Sequence, residues 1–354
     1  MSPFTDLLVF DAHFHVHAAS GLRELAGVIR EAGLAGMALM SLSACGAGRE
    51  AQNLLVLSAK RASPEGFWAF PGLVYPPPRL RDGLDLAAQA RQLVAAGADG
   101  VKMIEGKPNT QKALGLPLND PVYDGFYGFL AAEQVPLLMH VGDPATFWDA
   151  DACPDWARRK NNFWGDGTYA SLEDLYGQVD DVLDRFGGLQ VTLPHFYFLS
   201  DDRPRAESLL ARYPNVRLDL TPGSEMYVNF SRDPAGWRAF FERYADRILF
   251  GTDNRAPLDG AAAHAATQVA RQRRFFETAE PFETEWGTLH GLGLSRETLR
   301  KLYSENFLGW VGARPRPVDV PAAEEYRRTL LENLRRWDAP QSSLDAVRGV
   351  PVGP

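Results

Sequence analysis

Residues 8–17 read Leu8-Val9-Phe10-Asp11-Ala12-His13-Phe14-His15-Val16-His17, an apolar run that ends in alternating histidines. Such a run reads as a buried strand, and in a strand residues two apart share a face. His13 and His15 therefore point the same way at the strand's C-terminal end. Seven more short apolar runs follow, at 36–42, 67–75, 100–104, 135–141, 190–196, 216–220 and 247–253. Helical spacing of apolar residues fills the gaps, at 21–32, 49–61, 82–96, 122–133, 171–186, 203–213, 234–244 and 260–276. Gly33 and Gly97 stand where helix C-caps belong. Ser171 is placed as an N-cap, with Asp174 adding negative charge to the first turn.

Strands alternating with helices predict a parallel sheet with crossover helices, and eight of each is what a closed (β/α)8 TIM barrel needs. An open doubly wound sheet uses the same alternation but carries a Gly-rich phosphate loop after its first strand, and none is present. The fold class is therefore α/β, a single-domain barrel over residues 1–312. A C-terminal extension, 313–354, reads as one helix at 322–337 and an extended tail from 343. The connection after the fifth strand, 142–170, is long and carries Phe147, Trp148, Trp156, Phe163, Trp164 and Tyr169. Long barrel loops of this kind serve as lids or interfaces. This one also suits a homodimer contact.

Composition bounds the rest. The chain has 354 residues, of which 45% are hydrophobic and 23% charged, enough for a large core and too ordered for a disordered chain. A net charge of −8 argues against a nucleic-acid or anionic-membrane partner. The two cysteines, Cys45 and Cys153, do not make a disulfide framework. The first residues lack a basic stretch followed by a long apolar run, and no window is apolar enough for a membrane span, so a cytoplasmic location is the expectation.

Polar residues gather at the strand ends. His140 stands at the mouth of the fifth strand, His195 of the sixth and Asp253 of the eighth, while Lys102 lies on the fourth. Alternation puts Leu138 with His140, Leu193 with His195, and Gly251 with Asp253. Polar side chains in a barrel layer are costly unless they bind something, and barrel active sites form at this end. Imidazoles with a carboxylate suit a borderline divalent metal such as zinc. Four protein ligands of this type leave an open position where water becomes acidic near neutral pH. Asp253 and His195 are the candidates to handle protons.

With these residues in view, the chain resembles the amidohydrolase superfamily, and within it the amidohydrolase-related branch that contains aminocarboxymuconate-semialdehyde decarboxylase. The resemblance rests on D-A-H-F-H at 11–15, G-V-K-M at 100–103, L-M-H at 138–140, L-P-H-F at 193–196 and I-L-F-G-T-D-N at 248–254. It spans about residues 8–310. It implies a (β/α)8 barrel with one or two divalent metals, usually zinc. In the mononuclear branch, the positions of His13, His15, His140 and Asp253 hold the ion and that of His195 is catalytic. In the binuclear branch the lysine matching Lys102 is carboxylated and bridges two ions, and His195 binds the second. One ion is preferred here, and Lys102 reads as an ordinary lysine that holds an anionic substrate or pairs with a nearby acid such as Glu105.

Other residues carry weaker signals. Glu225 lies at the rim after the seventh strand, where it binds substrate or merely caps its loop. Arg255 can meet a substrate carboxylate or form a surface ion pair; Tyr197 and Asn254, beside the site in sequence, are further candidates for binding substrate. His17 reads as a loop histidine, and His264 and His290 as surface or packing residues. The expectation is a metal-dependent hydrolase that attacks an amide, ester, lactone or C–C bond of a small molecule. A non-oxidative decarboxylase is the first alternative, and a catalytically silent metal-binding interaction protein the second.

Overall fold

The structure is a computed structural model, and it describes residues 4–42, 49–81 and 83–352. Cys45 lies outside these residues; Cys153 is buried. No helix among the described residues is long and apolar enough to cross a membrane.

The strands are β1 (Phe10–Val16), β2 (Gly36–Met40), β3 (Phe67–Phe70), β4 (Val101–Gly106), β5 (Pro136–Val141), β6 (Gln190–Leu193), β7 (Val216–Asp219), β8 (Ile248–Leu249) and β9 (Asn254–Ala256). They pair in parallel in the orders β3-β2-β1-β9 and β4-β5-β6-β7-β8. Backbone bonds close both seams. On one side, Lys102 N–H donates to Pro71 O over 2.9 Å and Gly72 bridges Lys102. On the other, Ala12 N–H donates to Phe250 O and Asp253 N–H to His13 O, each over 2.9 Å. The result is a (β/α)8 barrel.

Side chains sort by strand face. Phe10, Ala12, Met40, Trp68, Phe70, Leu138 and Leu249 fill the barrel interior. Phe307 and Trp310, on the helix Asn306–Val311, close the end where the strands begin; Phe307 stacks on Phe10 at 5.1 Å and meets Trp68 edge-on at 4.9 Å. Burying aromatic surface there stabilises the closed end by a few kcal/mol for each side chain. The opposite end stays open. The alternate residues, such as Val101, Met103, Leu137 and Met139, pack outward against the helices in the larger cluster.

The sixth and eighth strands are shorter than their apolar runs suggest. β6 stops before Pro194, and Leu193 packs outward with the helix layer, so it does not share a face with His195. β8 stops at Leu249, and the next strand, β9, begins at Asn254. The tail is not extended: Gln341–Arg348 is a helix that buries Ser343, Leu344 and Val347. It packs on the helix Val320–Arg336, which itself lies against Leu86–Ala95. Several further elements were not expected, among them the short helices Pro108–Leu114, Asp155–Arg159 and Arg296–Arg300. A second helix, Ser224–Arg232, precedes Pro234–Arg243, and an antiparallel hairpin of β10 (Pro281–Thr284) and β11 (Gly287–His290) packs on it.

Candidate active site

A bulge in β1 builds the site. Asp11 pairs with Met37 but Phe14 with Leu39, so β1 carries one extra residue in between. Before the bulge, Phe10 and Ala12 point into the barrel; after it, Phe14 and Val16 face the helices. His13 and His15 are thereby turned inward. The Asp11 carboxylate holds the bulge, accepting from His13 N–H at 3.0 Å, Thr252 N–H at 3.0 Å and Thr252 Oγ1 at 2.6 Å. Burial pushes this carboxyl up to about 7, against those hydrogen bonds.

At the mouth, His13 Nε2 and His15 Nε2 stand 3.1 Å apart. Asp253 Oδ1 is 3.1 Å from His15 Nε2 and 3.6 Å from His13 Nε2. Three donor atoms at these separations match the edge of a tetrahedral zinc site, about 3.3 Å for bonds of about 2.0–2.1 Å. The protonation states agree. Burial, with the charge of Lys102, lowers His13 to about 3, and burial also lowers His15, so both imidazoles are neutral. Burial works to raise Asp253, but the contact with His15 and the neighbouring imidazoles outweighs it and holds the carboxylate well below its usual range. His15 Nδ1 is buried without a hydrogen-bond partner. The donor set fits a divalent cation.

Asp219 organises the imidazoles. Fully buried at the end of β7, it accepts from His13 Nδ1 at 3.0 Å, which leaves the Nε2 lone pair for a ligand. Its other oxygen accepts the backbone N–H of His195 at 2.9 Å and the Thr221 hydroxyl. Because that hydroxyl donates to Asp219, its oxygen accepts from His195 Nδ1 at 3.0 Å. His195 Nε2 is then the free nitrogen. His195 reaches the mouth by a local device: it and the next three residues, through Phe198, have φ between 54° and 58°. Left-handed backbone at four consecutive non-glycine residues is uncommon and marks a functional turn. Asp219 was legible as an acid at a strand end, yet strand reading alone did not single it out.

Lys102 is buried, with Nζ 3.1 Å from His13 Nε2. Burial lowers its pKa to about 8. His140 lines the same cavity but stands apart from the three converging atoms: its Nε2 donates to Gly142 O at 3.0 Å, and its ring lies 4.9 Å from that of His195. Of the four expected ligands, the structure brings His13, His15 and Asp253 within 4.8 Å of one another. His140 is not among the converging three.

The open end holds a cavity with two lobes. The first, about 320 Å³, is lined by His13, His15, Lys102, His140, His195 and Asp253 with His17, Arg49, Asn109 and Arg255. His17, in the loop just past the end of β1, also lines this lobe, and its backbone N–H donates to Ala256 O at 2.8 Å. The second lobe, about 370 Å³, is lined by Trp156, Phe198 and Glu225 and shares Lys107, His140, His195 and Asp253 with the first. Burial raises the Glu225 carboxyl. Asn254 is buried within β9 and lines neither lobe. Tyr197 does not reach the site. The left-handed turn rotates it outward, where its ring packs 4.6 Å from Tyr176 and its carbonyl accepts the Tyr176 hydroxyl. His264 is exposed on the helix Ala261–Glu277, and His290, read as lying in a connecting segment, is exposed at the end of β11.

A parallel barrel with imidazoles and a carboxylate converging at its C-terminal mouth defines the class of amidohydrolase enzymes. A family model described as Amidohydrolase matches residues 11–306, and the chain belongs to that family. It is therefore an enzyme fold whose relatives generally depend on a divalent metal. Similar solved structures include an uncharacterized TIM-barrel protein from Bordetella bronchiseptica, at 16% identity and a TM-score of 0.53, covering 86% of this chain and 100% of that one. A 4-oxalomesaconate hydratase from Rhodopseudomonas palustris is 14% identical, with a TM-score of 0.51, over 91% of this chain and 99% of its own. A 5-carboxyvanillate decarboxylase from Sphingomonas paucimobilis is 13% identical, with a TM-score of 0.50, over 86% and 99%. At such identities the likeness establishes the fold. No curated protein matches the chain in sequence.

Proposed function

We propose that this enzyme is a metal-dependent hydrolase of a small molecule, with one zinc ion held by His13, His15 and Asp253. The observation that carries the reading is the approach of three donor atoms to 3.1–3.6 Å at the mouth of the barrel. A divalent cation bound there supplies Lewis acidity and lowers the pKa of water. The chain's own residues do the rest. Asp253, with 38% of its side chain exposed, accepts a proton at its carboxylate. His195 moves a proton at Nε2, its Nδ1–H being committed to Thr221. Lys102 keeps positive charge beside the reacting centre, and Arg49 and Arg255 bind an anionic group of the substrate from the first lobe.

The cationic lining of that lobe also favours a second reading, decarboxylation of a small acid. Turnover in ¹⁸O-labelled water separates the two: hydrolysis places the label in the organic product, whereas decarboxylation leaves the organic product unlabelled and releases carbon dioxide. Zinc-loaded enzyme is to be assayed on esters, lactones, amides and carboxylic acids. Turnover that Asp253→Asn abolishes supports the proposal. Turnover that survives both Asp253→Asn and metal removal contradicts it.

A further inference from the structure

Another cavity, of about 480 Å³, lies away from the metal site, where the C-terminal extension meets the barrel. It shares no lining residue with either lobe of the active site. The barrel side supplies the proline run Pro76–Pro78, in the loop after β3, and Leu114 at the end of the helix Pro108–Leu114. The extension supplies Leu334 and Trp337. A cavity of this volume with such apolar walls suits a small molecule.

Most polar groups in the walls are already committed. Arg81 donates from Nε to Pro76 O at 3.4 Å and from a terminal nitrogen to Leu114 O, which laces the proline run to the helix. Tyr75 donates its hydroxyl to Glu105 at 2.9 Å. Arg79 and Asp338, one from each side of the seam, pair at 3.8 Å in solvent. Trp337 differs. Its side chain is buried, and Nε1 has no hydrogen-bond partner. A buried indole N–H ordinarily finds an acceptor. The charges in the lining balance, with Glu50 and Asp338 against Arg79 and Arg81, so the cavity selects no net charge. A lone carboxylate entering it would shed its water beside the acid Glu50, which is unfavourable.

We infer that this cavity is a second small-molecule site, separate from the metal centre, and that it takes an uncharged, largely apolar compound bearing a carbonyl oxygen, such as an amide or a ketone. The oxygen accepts the Trp337 indole N–H. The apolar body lies against the proline rings, Leu114 and Leu334. Because Arg81 holds the barrel side in place before any ligand arrives, little ordering is left to do on binding. The metal plays no part in this site, so the inference stands apart from the proposed reaction.

The test follows the indole N–H resonances of the eight tryptophans in the ¹⁵N-labelled full-length protein, with Trp337→Phe identifying the one that belongs to Trp337. The probes are N,N-dimethylcyclohexanecarboxamide and cyclohexanecarboxylate, which share a ring and differ in charge. The amide is expected to move the Trp337 proton downfield in a saturable way, and the carboxylate to bind at this resonance about ten-fold more weakly. Any carboxylate held at the metal site is read elsewhere. Ala113, exposed where it lines the same cavity, offers a blocking variant: in Ala113→Trp the added ring fills the space, and the amide no longer moves the resonance. A Trp337 resonance that the amide leaves unmoved, a carboxylate that binds there as tightly as the amide, or a shift that survives Ala113→Trp overturns the inference.

Discussion

Asp219 and His13 form a buried pair in which the carboxylate, through the 3.0 Å bond to Nδ1, decides which imidazole nitrogen faces the cavity. The same carboxylate anchors the backbone of His195. One acid thus orients two of the imidazoles at the mouth without itself facing the cavity. Partners of this kind fix tautomer and ring direction, and losing one costs about 10–100-fold in metal affinity. Asp219→Ala is therefore expected to weaken zinc binding by about that factor, and Asp219→Asn, which keeps an acceptor oxygen, by less. Competition against a chromophoric chelator measures it. Unchanged affinity in Asp219→Ala would show that the pair has no part in holding the ligand.

Glu105 gives a pH dependence that owes nothing to the metal. It is fully buried beside Tyr75, whose hydroxyl donates to it at 2.9 Å, and burial raises it from 4.5 to about 7. With the folded pKa above the unfolded one, the folded chain holds its proton longer. Its contribution to stability is complete below pH 4.5 and is lost as pH rises through about 7. The loss amounts to at most about 3 kcal/mol. Glu105→Gln keeps an acceptor for Tyr75 and cannot ionise. Urea unfolding at pH 5 and pH 8 should show a smaller drop in stability for the variant than for the parent. Parallel drops would remove Glu105 from the account.

The loop 142–170 is fastened through Asp143, which takes Lys107 at 2.6 and 2.7 Å and Trp164 Nε1 at 3.0 Å. Asp143→Ala leaves a largely buried ammonium and a buried indole N–H without their partner. The expected cost is about 1–3 kcal/mol. Limited proteolysis should then cut within this loop sooner than in the parent, with circular dichroism unchanged. A variant as resistant as the parent would mean that the aromatic core of the loop suffices to hold it down.

The order of strands and helices, and the end of the barrel that carries the chemistry, were readable because alternating apolar runs and strand-end histidines are local signals. The geometry at single residues was not. His195 and Leu193 share parity in the chain but not in space, because Pro194 ends β6 and the left-handed turn re-aims the ring. His13 and His15 face inward only through the bulge after Asp11, an insertion that spacing of two cannot reveal. Tyr197 looked adjacent to the site and is turned away by the same backbone that presents His195. Asp219 went unremarked since one acid in a strand carries no pattern, and its role appears only when β7 is seen across the barrel from His13. The terminal helix Gln341–Arg348 was hidden because its apolar face is only Leu344 and Val347.

The central claim is that His13 and His15 share one cation with Asp253. Elemental analysis after zinc loading and exhaustive dialysis tests it most directly, on the parent and on the His13→Ala, His15→Ala double variant, with folding checked by circular dichroism. The parent should retain about one zinc per chain and the folded double variant essentially none. A double variant that keeps the parent's zinc, or a folded parent that keeps none, would contradict the account.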